Sequence, residues 1–374
     1  LSVGISYYNT GYNYYGNSFF LEDGTAPVFD FDSRQSVDIF KVGFGLRSSD
    51  KNEGALKYIG AFNYSGFKNK YGSTKDEKGL QGEQLDLNVD VYTELESDKF
   101  AGIDASFLYQ TFKEREWFWN KDSFHKFTNI KASPYLRLQG ENWNVKLGAN
   151  VNFLFDHKTS LAFSPNVNAD IKINDVNVFY AQVGGGVNNN TFIDIFQENR
   201  YTAPMTRVDY SKTLYDAKIG FRSGVVSGLE FDLFAGYKYT KKDHLYAFSS
   251  YGSWANTSIP LYADVSTGHI GGALKTKLIP FTDLSAKLVA YFYNVKYTDG
   301  YLNIISPETI AEKKAWGRPT FTAELNADVK PINKVTLSLN YLLSAGRKGY
   351  YTSVMPFPAP PSKMNNINEL NFRG

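Results

Sequence analysis

Trp143-Asn144-Val145-Lys146-Leu147-Gly148-Ala149-Asn150-Val151-Asn152-Phe153 alternates residue by residue. Trp143, Val145, Leu147, Ala149, Val151 and Phe153 share one face, and Asn144, Lys146, Gly148, Asn150 and Asn152 share the other. After the connection 156–160 the rhythm resumes. Leu161, Phe163, Pro165, Val167, Ala169, Ile171 and Ile173 stand opposite Asn166, Asn168, Asp170 and Lys172, and Asn174-Asp175 turns the chain into a run over 176–187. Successive strand side chains point to opposite faces, so the period is two. Each run spans about ten to thirteen residues, roughly twice a usual globular strand. A strand tilted near 45° needs about that length to cross a bilayer. Apolar on one face and polar on the other, hairpin after hairpin, is the pattern of a transmembrane β-barrel.

Composition bounds the alternatives. The 374 residues carry a formal net charge of +2, without the basic excess of a nucleic-acid protein, so no nucleic-acid partner is expected. Cysteine is absent, which excludes a disulfide scaffold and a thiolate metal site. The 27 Tyr and 29 Phe suit aromatic girdles at two lipid interfaces. The apolar run over 288–293 is far too short for a membrane helix. Mean hydropathy is negative, as expected when half of every barrel strand faces water. Leu1 already lies in an alternating run, and 368–374 reads as a strand cut short. A fragment of a longer barrel is therefore expected, with the export signal upstream.

Working outward, the same alternation predicts strands along the whole chain. Leu85, Leu87, Val89 and Val91 face lipid, opposite Asp86, Asn88 and Asp90; Phe40, Val42, Phe44 and Leu46 oppose Lys41, Gly43, Gly45 and Arg47. Gly268, Gly271 and Gly272 suggest a bulge. The segments 188–210 and 241–261 read as loops, as do 112–126 with Trp117 and Trp119 and the Pro-rich 355–361. Short and long connections alternate, so the short ones are periplasmic turns and the long ones extracellular loops. The prediction is an all-β, antiparallel up-and-down transmembrane barrel of about sixteen strands (roughly 14–18), one domain over 1–374. Tyr64, Tyr109, Phe153 and Tyr239 are expected in a belt at the loop ends, and Phe100, Trp143 and Phe281 in one at the turn ends.

Chemistry-bearing constellations are sparse. His125, His157, His244 and His269 lack metal-ligand spacing, and no metal or cofactor is expected. Asp30-Phe31-Asp32-Ser33 opens like a Ca²⁺ loop, but its twelfth position is Lys41. Gly184-Gly185-Gly186 lies inside a strand, which suits a bend or a close backbone approach rather than a phosphate loop. No nucleophile and base are recognisably paired, and no enzyme is expected. The polar face says more. Asp86, Asp90, Glu94 and Asp104 make one lumen wall acidic; Lys131, Arg137 and Lys146 make the next basic. Asp170, Lys172, Asp216, Lys218, Glu230 and Asp232 follow. Such charges either pair and solvate the lumen or set a transverse field.

The Tyr/Phe/Asn-rich strands, the turn Lys330-Pro331-Ile332-Asn333-Lys334 and the tail 365–373 resemble TonB-dependent-receptor-like barrels of the Bacteroidota, over the barrel portion only. The resemblance implies an outer-membrane barrel taking up a solute, set in outer-membrane lipid and lipopolysaccharide. It also implies a plug domain, a TonB-type energiser or a surface lipoprotein as partners. No plug-like segment is legible within the chain. A structural or accessory barrel in a larger outer-membrane complex, its lumen blocked, is the other expectation.

Overall fold

A computed structural model describes residues 1–13, 34–48, 56–70, 79–113, 126–202, 207–249, 257–299, 313–332, 334–352 and 362–373. Its elements in chain order are β1 (Ser2–Asn13), β2 (Arg34–Arg47), β3 (Lys57–Asn69), β4 (Gln81–Glu96), β5 (Lys99–Phe112), β6 (Phe127–Gln139), β7 (Trp143–Phe155), β8 (Thr159–Asn174), β9 (Asn177–Asn188), α1 (Phe192–Glu198), β10 (Ser211–Val226), β11 (Leu229–Ser249), β12 (Ser258–Thr276), β13 (Thr282–Asp299), β14 (Phe321–Ile332), β15 (Val335–Ala345), β16 (Lys348–Thr352), β17 (Ser362–Lys363) and β18 (Ile367–Arg373). Every strand from β1 to β15 pairs antiparallel with the next, and β15 pairs with β18. β16 and β17 form a small hairpin, and β16 runs parallel to the end of β11. The result is one up-and-down sheet, whose edges among the described residues are β1 and β18.

Local chemistry sets the turns. Asp98 takes a positive φ of 66° between β4 and β5, where Lys99 and Glu96 pair at 2.6 Å. Asn174 Oδ1 accepts from the amides of Val176 and Asn177, the side-chain-to-backbone turn that Asn favours. The register then puts Leu87, Leu147, Ile171, Ile219, Ile270 and Leu288 on one face, all exposed. A continuous apolar face of this extent is stable against lipid, not water. No described helix is long and apolar enough to cross a membrane.

Three expectations are corrected. No bulge lies at Gly268–Gly272: β12 keeps register there with both neighbours, and Gly271 leaves room for the Phe234 ring, which a Cβ would meet at 2.6 Å. The described residues of the segment 241–261 are mostly strand, because β11 and β12 run on past an irregularity between Thr240 and Asp243. Phe100 is not in the outer belt. It pairs with Glu94 and Arg137 on the polar face, where the Arg137 guanidinium lies 5.0 Å from its ring.

Candidate functional site on the inward face

The register carries one face around the sheet. Asp90 stands opposite Asp104, Ser106 opposite Lys131, Arg137 opposite Lys146, Asn144 opposite Asp170, Gln182 opposite Lys218, Asp216 opposite Lys238, and Arg222 opposite Asp232. Asp86, Glu94, Lys172 and Glu230 lie on this same face, two or four residues along their strands. It is the face opposite the exposed apolar rows, and α1 lies on it. α1, which leaves from β9, packs on Val37 and Ile39 of β2, Phe67 of β3 and Phe112 of β5, and meets β11 and β12 on the other side.

The inward charges are not arranged merely to cancel. Asp90 faces Asp104 and Arg137 faces Lys146 on adjacent strands, and like charges directly opposite destabilise a sheet. Each is relieved by another group. Asp104 pairs with Lys131 at 3.5 Å, joining the acidic to the basic wall. The Tyr135 hydroxyl donates to Asp90 at 2.9 Å, and Lys146 sits 4.1 Å above the same ring. Arg137 lies against the rings of Tyr92 and Phe100. A cation over an aromatic face gains about 0.5–2 kcal/mol without a counter-ion. Asp86 accepts from Gln84 Nε2 at 2.9 Å.

A second node repeats this design across the wall. The Tyr180 hydroxyl donates to Asp232 at 2.8 Å, Arg222 reaches Asp232 at 4.0 Å, and Lys218 and Arg222 flank the Tyr180 ring. In both nodes the tyrosine ring lies against a glycine of the neighbouring strand. A Cβ on Gly102 would sit 2.5 Å from Tyr135 Cζ, and one on Gly220 would meet Tyr180. Beside this node a polar recess of about 510 Å³ opens along Gln182, Gly184, Asp216, Lys218, Lys238 and His269.

The mouth is built differently. Thr191 caps α1 in a capping box, accepting from the Asp194 amide while Asp194 accepts from Thr191 N. Gln110 Oε1 accepts from Phe192 N at 2.9 Å, tying the helix to β5, and the Phe192 ring stacks on Phe67 at 4.3 Å. At its other end Glu198 accepts from Nε2 of buried His244 at 2.8 Å. Arg318 contacts Asp243 at 3.5 Å and the His244 carbonyl at 3.2 Å. Trp316, almost fully buried, packs with Leu245, Leu261, Val295 and Tyr350. Two inward-folded segments, α1 and the stretch around Trp316, thus meet the ends of β11 and β12.

Sequence reasoning missed both segments. Thr191 and Asp194, three apart before an apolar run, were the available signal for α1. His244 and Glu198 lie 46 positions apart, and only the fold joins them. His125, Asp30 to Ser33, Trp117, Trp119 and the stretch 355–361 lie outside the described residues.

No family model matches the chain, and no curated protein matches it. Solved structures do. A variant of the ferric enterobactin receptor PfeA from Pseudomonas aeruginosa aligns with a TM-score of 0.58 at 10% identity, covering 90% of this chain and 53% of that one. The ferric-catecholate import receptor Fiu from E. coli K12 gives 0.57 at 9%, covering 92% and 58%. The FrpB iron transporter from Neisseria meningitidis gives 0.55 at 10%, covering 84% and 52%. The chain thus spans just over half the length of these structures. At such identities the likeness is one of fold, and the fold is that of large outer-membrane receptor barrels. A wall of this construction, apolar outside and polar inside, is an outer-membrane structure.

Proposed function

We propose that the chain forms the wall of an outer-membrane uptake receptor, a single barrel domain over 1–374 of the TonB-dependent, Bacteroidota type. The observation that carries this reading is the pair of opposed like-charge contacts, Asp90 with Asp104 and Arg137 with Lys146. Segregated charges leave a residual transverse field across the lumen, screened over roughly 8 Å at physiological salt. The polar recess beside Lys218 and Lys238 adds a ligand-sized concavity on the route. No catalytic role is assigned to any residue. A plug domain and a TonB-type energiser fit the wet, charged inward face as partners, and a surface lipoprotein fits the mouth.

The second reading is an accessory barrel with a blocked lumen, and α1 favours it, since the helix is fastened to both sides of the mouth. One experiment separates the two. Deletion of the gene in its native host, followed by uptake profiling with labelled solutes, should lose one solute class and regain it with the wild-type gene. Unchanged uptake of every class, together with loss of a co-purifying outer-membrane assembly, would establish the accessory role instead.

A further inference from the structure

Gly184, Gly185 and Gly186 interrupt the row of side chains along β9, and open space lies in front of two of them. A Cβ on Gly184 or on Gly186 would meet nothing within 4 Å, whereas one on Gly185 would meet Ser164 Cβ and the Thr213 carbonyl at 2.6 Å. Elsewhere on this wall a ring of the neighbouring strand covers the glycine: Tyr180 covers Gly220, His269 covers Gly236 and Phe234 covers Gly271. The bare stretch borders the recess of about 510 Å³, and a second recess of about 330 Å³ adjoins it along β11 to β13. The two share Asp216, Lys218, Lys238 and His269. Glycine inside a strand suits a site where a ligand approaches the backbone closely.

The charges around this double recess are not matched. Lys218 lies 4.1 Å above the Phe234 ring and 5.2 Å above that of Tyr180, with no carboxylate at hand. The register sets Lys238 opposite Asp216 and Lys287 opposite Glu324. Neither pair closes. Among the described residues the side chains of Asp216, Lys238 and Lys287 have no hydrogen-bond or ion-pair partner, and Glu324 accepts instead from Asn326 on its own strand. Arg318 is taken up by Asp243 and the His244 carbonyl. Counting His269 as neutral, three lysines face one carboxylate. Lys218 and Lys238 are diagonal neighbours on adjacent strands, about 7–8 Å apart. The floor is apolar: Phe234, Val265 and Val289 are buried, with Tyr291 stacked on Tyr293 beside them. Unpaired ammonium groups above low-dielectric walls attract anions more strongly than the same charges in open water.

We infer that the double recess binds a small solute carrying at least two phosphate or carboxylate groups. Lys218, Lys238 and Lys287 hold its oxyanions, Asp216 accepts from a hydroxyl or amine of the same solute, and the stretch 184–186 leaves room for its body. The inference deepens the uptake reading and rests on it for the solute's route; the site itself is read by binding to the purified chain. The test is isothermal titration calorimetry of the full chain in neutral detergent at low salt, with inorganic pyrophosphate, succinate and sucrose as probes. Wild type should bind an anion and ignore sucrose. Binding of pyrophosphate alone makes the recognised groups phosphates, and binding of succinate alone makes them carboxylates. Lys238→Gln and Lys287→Gln neutralise charges that hold no bond in the fold, and each should weaken anion binding about tenfold. Gly184→Leu, which fills the open space, should abolish it. Asp216→Asn, which removes the facing carboxylate, should tighten it, and this variant keeps the idea testable should the lysine variants misfold. Lys172→Gln, exposed toward the turns, should leave it unchanged. Sucrose bound as well as the anions, no anion bound, or wild-type affinity in Lys238→Gln with Lys287→Gln overturns the site. Anion binding by a protein whose gene deletion costs no solute class would leave the site standing and remove the uptake role.

Discussion

The inward face has two ends of opposite character. Near the loops it is apolar and covered: Val37, Ile39, Phe127, Leu154 and Leu261 are buried beneath α1, Tyr210 and Trp316. Toward the turns it is charged and bare, with Arg47, Glu94, Lys172 and Glu230 exposed. Strand alternation fixes which residues share a face, but what lies against that face fixes their type. Apolar side chains point inward wherever a segment of the chain returns to cover them. On β2 the switch happens within one strand. Val37 and Ile39 are inward under the helix, while Lys41 on the same face is bare of it.

The contrast is broken most directly at Trp316. Trp316→Ala removes the largest fully buried side chain of the mouth and is expected to cost about 3–5 kcal/mol of local stability. Hydrogen exchange of β11 and β12 should accelerate beyond Thr240 and stay unchanged toward the turns. Acceleration along the full strands would mean the two ends are one cooperative unit and the comparison is false. Next in size is the lipid face: Val89→Arg and Val167→Arg should each cost about 2–4 kcal/mol at mid-strand. Unaltered urea midpoints in lipid vesicles for the pair would contradict the assigned outward face.

Tyr135→Phe tests the bare end. It leaves the ring beneath Lys146 but removes the donor to Asp90, and is expected to cost about 1.5 kcal/mol, the low end for a bond to a charged group because Asp90 keeps access to water. Gly102→Val should cost more, since its side chain displaces the whole ring. If Tyr135→Phe is neutral in the same urea assay, the tyrosine is a filler and not a bridge between the two walls.

How far the sequence reached follows the same division. The outward rows on β4, β7 and β8 were legible because a lipid face tolerates few exceptions to the period of two. The inward charges were legible for the same reason, seen from the other side. The mouth was not. Alternation says nothing about which loop folds back, and Val37, Leu108 and Leu154 read as breaks in the polar row until α1 and Tyr210 are seen on top of them. The opposition of Arg137 and Lys146 depends on a register that adjacent strands alone do not specify from afar. The lengths of β11 and β12 were hidden by an irregularity after Thr240, where Lys242 takes a positive φ of 52°.

At the mouth, pH gives a finer probe. Burial alone would raise the Glu198 carboxyl, but the hydrogen bond from His244 and the charges of His244 and Arg318 hold it below its ordinary value of 4.5. A group lowered on docking stabilises the docked state above its undocked pKa, and that contribution is lost as pH falls through the docked value. Docking of α1 is therefore expected to loosen as pH falls below about 4.5. A spin label at the exposed position Gln197 should gain mobility over that window, and Glu198→Gln should remove the transition. Identical mobility at pH 7 and pH 4, or a transition surviving in Glu198→Gln, sinks the assignment.

The smallest stability effect carries the most functional weight. Asp104 and Lys131 are 3.5 Å apart with side chains 39% and 29% exposed, so the pair is worth under about 1 kcal/mol. Asp104→Asn also relieves the repulsion with Asp90 opposite it, and these two small terms have opposite sign. Net stability should shift by less than about 0.5 kcal/mol. The field at that height should not stay the same, because one of two adjacent carboxylates is gone and Lys131 is left unpaired beside the basic wall. Reversal potentials in a planar bilayer under a salt gradient should move toward anions for Asp104→Asn and further for Asp90→Asn with Asp104→Asn. A stable variant with an unmoved reversal potential would mean that the segregated charges are solvated wall and nothing more. A variant that keeps wild-type selectivity but loses about 2 kcal/mol would place Asp104 with the packed mouth and erase the distinction between the two ends.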